Sequence, residues 1–136
     1  MQNFPHKIRF VAILALALGW LGGGCESSDN VKFVTEADAG ARISLGVGDE
    51  LEICLNGNPT TGYQWEVGAY DRLMLEHVAG PEYVAEANGG NAVGTGGRYY
   101  TRFKAAAAGE TAVTMFYRQA GSAAPSQTFA VTAVVE

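Results

Sequence analysis

Apolar side chains that recur at every second position constrain this chain more than any other feature. The pattern runs through Ile43 and Leu45; Leu51, Ile53 and Leu55; Tyr63, Trp65 and Val67; Val113, Met115 and Tyr117; and Phe129, Val131 and Ala133. A strand sends successive side chains to opposite faces, so this alternation marks half-buried strands rather than helices. Turn-forming segments at positions 46–49, 56–62, 89–97, 109–110 and 121–126 separate the runs, with Gly, Pro, Asn and Asp supplying bends and positive φ. Tyr99, Tyr100 and Phe103, followed by the four alanines 105–108 and then Gly109, read as a further strand running into a turn. The expected fold is all-β, an antiparallel sandwich of about seven strands. Trp65, in phase with Tyr63 and Val67, is expected in its core, and only one of Tyr99 and Tyr100 can face inward.

The N-terminal residues belong to a different class of segment. Lys7 and Arg9 precede an apolar run from Phe10 to Leu18 that is short for a transmembrane span, as in an export signal. It ends in Leu21, Gly22, Gly23, Gly24 and Cys25, which resembles a bacterial lipobox with Gly22 where leucine usually stands. The expected organisation is a signal peptide over residues 1–24, lipidation at Cys25, a polar tether over 25–30, and one domain over 31–136. Glu26 is not the aspartate of an inner-membrane retention signal, so the expected location is the cell envelope, at the outer membrane or the periplasmic face. Ordinary secretory cleavage is the alternative.

Without residues 1–24 the chain carries seven Lys and Arg against fourteen Asp and Glu. Nucleic-acid binding needs a basic stripe to replace phosphate counterions, and this balance lacks one. It also gives no electrostatic attraction to anionic lipid, so the lipid itself must be the anchor. With Cys25 lipidated, Cys54 is the remaining thiol and no disulfide can staple the domain. A chain of this length buries about two-thirds of its unfolded surface, which suffices without one.

Enzymatic chemistry finds little to work with. The histidines are His6, inside the signal, and His77, which reads as an exposed or satisfied strand residue. A metal needs at least three converging ligands, and no such set stands out. Cys54 alternates away from Ile53 and Leu55, with no Lys, Arg or second histidine close in sequence to activate it. There is no G-x-S-x-G elbow, and no Lys-Ser or Lys-Thr follows the glycines at 94–97. Neither an enzyme nor a cofactor is expected.

One loop stands out chemically. In Asn58, Pro59, Thr60, Thr61, Gly62 and Tyr63, the proline fixes its own φ and keeps Asn58 extended, Gly62 can adopt positive φ, and the threonines are left at the tip. These residues, with Trp65, resemble the N-P-T-T-G-(aromatic)-x-W signature of the chagasin family, inhibitors of papain-like cysteine proteases with an immunoglobulin-like fold. Val47, Gly48, Asp49, Glu50, Leu51, Glu52 and Ile53 resemble the family's lead-in strand, and Gly94, Thr95, Gly96 and Gly97 its G-x-G-G loop. The resemblance extends from about Ile43 to the C-terminus.

The resemblance implies three neighbouring loops that enter a protease cleft and cover its catalytic cysteine without being cut. Asn58 to Gly62 would lie across the catalytic centre with Thr60 at the tip, and the glycine loop would flank it. The third loop departs from the family's Y-x-R-P-W, reading Tyr117, Arg118, Gln119, Ala120, Gly121. Gln119 stands in the arginine's place and Gly121 in the tryptophan's, so two customary binding anchors are missing. Arg118, one position earlier, is a partial substitute. The implied partner is a papain-like cysteine protease bound by a monomer; a structural or adhesion-type sandwich without inhibitory activity is the alternative.

Overall fold

The computed structural model describes residues 30–86 and 96–136. The signal segment, Cys25, Gly94 and Thr95 lie outside them. Among the described residues, eight strands form two four-stranded sheets. The first has the order β1 (Val31–Val34), β3 (Glu50–Gly57), β6 (Gly97–Ala105), β5 (Leu75–Ala85), and the second β2 (Arg42–Leu45), β8 (Gln127–Val135), β7 (Gly109–Gln119), β4 (Tyr63–Val67).

The sandwich is as expected, with one more strand than about seven and with mixed rather than purely antiparallel sheets. β1 runs parallel to β3 and β2 parallel to β8. Both departures have one cause. The chain climbs one edge of the first sheet as β1, turns through a short 3-10 segment (Glu36–Asp38) capped by Thr35, and descends the second sheet as β2. This crossing ties the sheets together at their edge, and Glu36 there accepts the backbone N–H of Asn56 from β3.

Alternation places the core as the sequence indicates. Leu51, Ile53, Leu55, Phe103, Val113, Met115 and Val131 are buried between the sheets, as is Trp65. Tyr99 faces inward, while Tyr100 lies on the other face opposite Cys54. Cys54 does turn outward but is buried there, with the Arg98 guanidinium 3.7 Å from its sulfur. That arginine lies 44 residues away in sequence, and cross-strand pairing alone brings it there. On the same outer face Arg102 pairs with Glu52 and lies 3.5 Å from Glu50.

Thr101 is buried in the core with no hydrogen-bond partner for its hydroxyl among the described residues. A hydroxyl dried out without a partner costs stability that an isosteric methyl does not. Thr101→Val is therefore expected to stabilise the domain by about 1 kcal/mol, read as a higher urea midpoint at unchanged m-value. An unchanged or lower midpoint would show that the hydroxyl is satisfied in solution.

Candidate functional site: three loops at one end of the sandwich

Strand register fixes which connections meet. Gly57 lies opposite Gly97, and Ala85 opposite the same glycine, so the β3–β4 and β5–β6 connections leave the first sheet at one end. Tyr63 pairs with Gln119 and Tyr117 with Gln127, which brings the β7–β8 connection to the start of β4. Direct bonds join them: Ala120 N–H donates to Gly62 O (3.2 Å), and Asn58 N–H to the Tyr117 hydroxyl oxygen (3.1 Å). A Cβ on Gly96 would stand 3.1 Å from Gly57 O, so the chain entering β6 packs against the base of the β3–β4 loop. The β3–β4 turn, the start of the β7–β8 connection and Gly96 at the entry to β6 therefore meet at one end of the sandwich.

The β3–β4 loop is built from its own side chains. Asn58 is extended (φ −141°, ψ 99°) and caps a 3-10 turn over Pro59–Thr61; Gly62 closes it in the left-handed region (φ 83°). The Asn58 carboxamide oxygen accepts from Thr60 N–H (3.1 Å) and from the Thr60 hydroxyl (2.6 Å), and the Thr61 hydroxyl donates to Asn58 O (2.6 Å). Both threonine hydroxyls are thus turned into the loop. Pro59, Thr60, Thr61 and Gly62 are exposed. Removing the cap with Asn58→Ala is expected to cost about 1 kcal/mol in denaturant unfolding, and to weaken whatever binds the ordered turn by more than that stability loss. Equal binding by the variant would show that loop order is irrelevant.

Aromatic rings support the loop from below. Tyr117 stacks on Tyr63 at 5.5 Å and lies 5.0 Å from Trp65, whose indole N–H donates to Asn56 O (2.8 Å). Tyr83 packs on Tyr99 at 5.2 Å. Burial pushes the Tyr99 phenol above its ordinary pKa, keeping it neutral. Gly57 is required between these rings, because a Cβ there would lie 2.6 Å from the Tyr99 ring and 3.4 Å from that of Tyr117.

The sequence-derived site residues divide accordingly. Pro59, Thr60, Thr61 and Gly62 form the exposed tip, with Asn58 and Tyr63 half-buried at its base. Gln119 is exposed, its side chain against Gly62. Gly97 is not a loop residue: it is buried as the first residue of β6, where a Cβ would stand 2.2 Å from Val84 O and 2.7 Å from the Tyr83 ring. It permits close strand pairing, leaving Gly96 as the described residue of the glycine motif nearer the surface. Arg118 lies on the outer face of the second sheet, its Nε 2.8 Å from Glu66 Oε2 without hydrogen-bond alignment and its guanidinium over Phe116. Held there, it points along the sheet instead of replacing an arginine at the loop apex. Tyr117 is the residue that sequence reasoning left in the core pattern and the structure makes central. Its strand phase with Val113 and Met115 gives its face, and only the folded loop shows its hydroxyl meeting Asn58.

Residues 44–133 match the model of the chagasin family of peptidase inhibitors, I42. The chain belongs to this family. Amoebiasin-1 of Entamoeba histolytica is 34% identical over 86 residues, which cover 63% of this chain and 80% of that one. Among solved structures, the cysteine protease inhibitor EhICP2 from Entamoeba histolytica shares the fold with a TM-score of 0.70 at 21% identity, over 79% of this chain and 96% of its own. PbICP-C, solved in complex with falcipain-2, shares it with a TM-score of 0.52 at 20% identity, over 80% and 93%.

Proposed function

We propose that this chagasin-family protein inhibits papain-like cysteine proteases by seating its three-loop end in the substrate cleft, and does so from a lipid anchor at Cys25. The observation that carries the first part is the self-bonded turn Pro59–Thr61, exposed at that end and fixed by Asn58, Gly62 and Tyr117. A loop already ordered in the free protein loses little entropy on docking. Its threonine hydroxyls are committed to Asn58, so the turn keeps its own geometry rather than extending as a substrate strand does. The anchor is supported by the sequence from Lys7 to Cys25.

The test is the residual activity of papain and of a cathepsin L-like enzyme against rising concentrations of the protein. Stoichiometric or nanomolar loss of activity, with the inhibitor uncut on a gel, is expected. Full activity beside a folded, soluble inhibitor would leave a sandwich that has kept its scaffold without this function.

The connecting segments 58–62 and 120–126 contain no charged residue, and in 86–96 the one charge is Glu86, which lies 3.6 Å from Arg98. Affinity for papain should therefore change by no more than about twofold between 0.05 and 0.5 M salt, because screening acts on charge pairs. A tenfold loss would shift the binding surface onto the charged outer faces of the sheets.

A further inference from the structure

The end of the sandwich opposite the inhibitory loops is the end at which the tether arrives. Asn30 O accepts from Glu50 N–H (3.0 Å), at the start of β3, and Val31 pairs with Glu50. Three other connections meet there. Gly48 N–H donates to Ala105 O (2.8 Å), and Ala106 N–H donates to Met74 O (2.7 Å), so the β2–β3 turn, the β6–β7 turn and the loop before β5 are contiguous. Their exposed apices are apolar: Leu73 is 83% exposed, Val47 is 58% exposed, and Ala106, Ala107 and Ala108 lie open between them. The other large exposed apolar residues, Phe33, Val78 and Val84, lie apart along the edge strands β1 and β5.

Most acidic groups at this end are engaged by a turn or a cation, Glu76 standing opposite Lys104 across the β5–β6 pair. Asp49 accepts from Gly46 N–H (2.8 Å) and Asp71 from Leu73 N–H (2.9 Å), beside the exposed Val47 and Leu73. Glu110 is paired with Arg42, and Arg72 lies over the Tyr70 ring. Glu136 adds one acidic side chain. Such a surface suits a zwitterionic lipid headgroup region better than an anionic one.

Five residues separate Cys25 from Val31, so six extended steps give a reach of at most about 22 Å. An acyl group on Cys25 would therefore hold this apolar end close to the bilayer. We infer that the end carrying Val47, Leu73 and Ala106 to Ala108 is a membrane-docking face, resting in the interface and presenting the inhibitory loops to the solvent. The inference rests on the lipid anchor at Cys25. A strand of eight residues spans about 26 Å, so docking this way stands the loops well clear of the headgroups, where a protease can reach them.

The test uses the full lipidated chain in phosphatidylcholine vesicles, with a nitroxide attached at Leu73→Cys or, for the opposite end, at Thr60→Cys. Wild type carried through the same labelling reports any uptake by Cys54. Collisions with oxygen and with a water-soluble nickel chelate should place the label at position 73 about 5–10 Å below the headgroup level, with that at position 60 in water. Equal exposure of both labels to the chelate would overturn the docking face. Spin–spin broadening at position 73 before vesicles are added would also overturn it, assigning the face to a second copy. A chain that does not sediment with the vesicles would remove anchor and docking together. Papain inhibition by wild-type vesicles, measured alongside, reads the inhibitor proposal separately: inhibition with a water-exposed label at position 73 overturns docking alone, and a buried label without inhibition supports docking while rejecting the protease.

Discussion

Trp65→Ala is expected to destabilise the sandwich by about 3–5 kcal/mol, a fall in Tm on the order of 15–25 °C. Two losses combine in this variant. The buried indole leaves a large void beside Tyr117, and the Asn56 carbonyl loses the indole N–H that it accepts in the native state. Trp65→Phe largely separates them, because it keeps much of the volume while removing the hydrogen bond; its cost should be about 1–3 kcal/mol. Both variants bear on function, since Asn56 leads directly into Gly57 and the inhibitory turn. Calorimetry and a denaturant series provide the check, and an alanine variant within 1 °C of wild type would mean that Trp65 is not the keystone beneath the loop.

The second large effect separates binding from folding. Thr60→Glu should weaken inhibition of papain by about a hundredfold or more, a loss of the size seen when a central interface contact is replaced by an unpaired charge. Thr60 is exposed, its backbone N–H and hydroxyl both bond to the Asn58 side chain, and it takes no part in the core. Its Tm should accordingly stay within a few degrees of wild type. Inhibition constants and melting curves measured on the same preparation decide the matter. Unimpaired inhibition by a folded Thr60→Glu protein would remove the turn from the interface.

Much of this architecture is legible in the sequence, for a physical reason. Leu51, Ile53 and Leu55, or Val113, Met115 and Tyr117, alternate because each strand has one face in the core, so their pattern reports burial directly. The turn at Asn58 to Gly62 is equally legible, since proline and glycine encode its backbone angles locally. β1 and β5 are less visible. Val31–Val34 is a short edge strand that buries Val34 and exposes Phe33, and β5 shifts register between His77 and Ala79 and again between Ala79 and Glu82, which destroys its alternation. The parallel pairings of β1 and β2 depend on partners far along the chain, which no local pattern encodes.

The site shows the same division. The tip is local, whereas its support is not: Tyr117 lies 59 positions from Asn58, and Glu66 reaches Arg118 across the β4–β7 pair. Sequence spacing put Arg118 beside the missing anchor position, but strand alternation turned it onto the sheet face. Gly97 reads as part of the glycine loop and is instead the first residue of β6, held so close to β5 that a side chain would meet Val84 O and the Tyr83 ring.

The most direct test of the inhibitory account is the alkylation of papain's catalytic cysteine by iodoacetamide in the presence of the protein. Loops seated in the cleft should slow alkylation in proportion to the fraction of enzyme bound, reaching near-complete protection at a slight molar excess. Alkylation at the uninhibited rate, with the inhibitor folded and in excess, would contradict the claim that this end of the sandwich closes a cysteine protease active site.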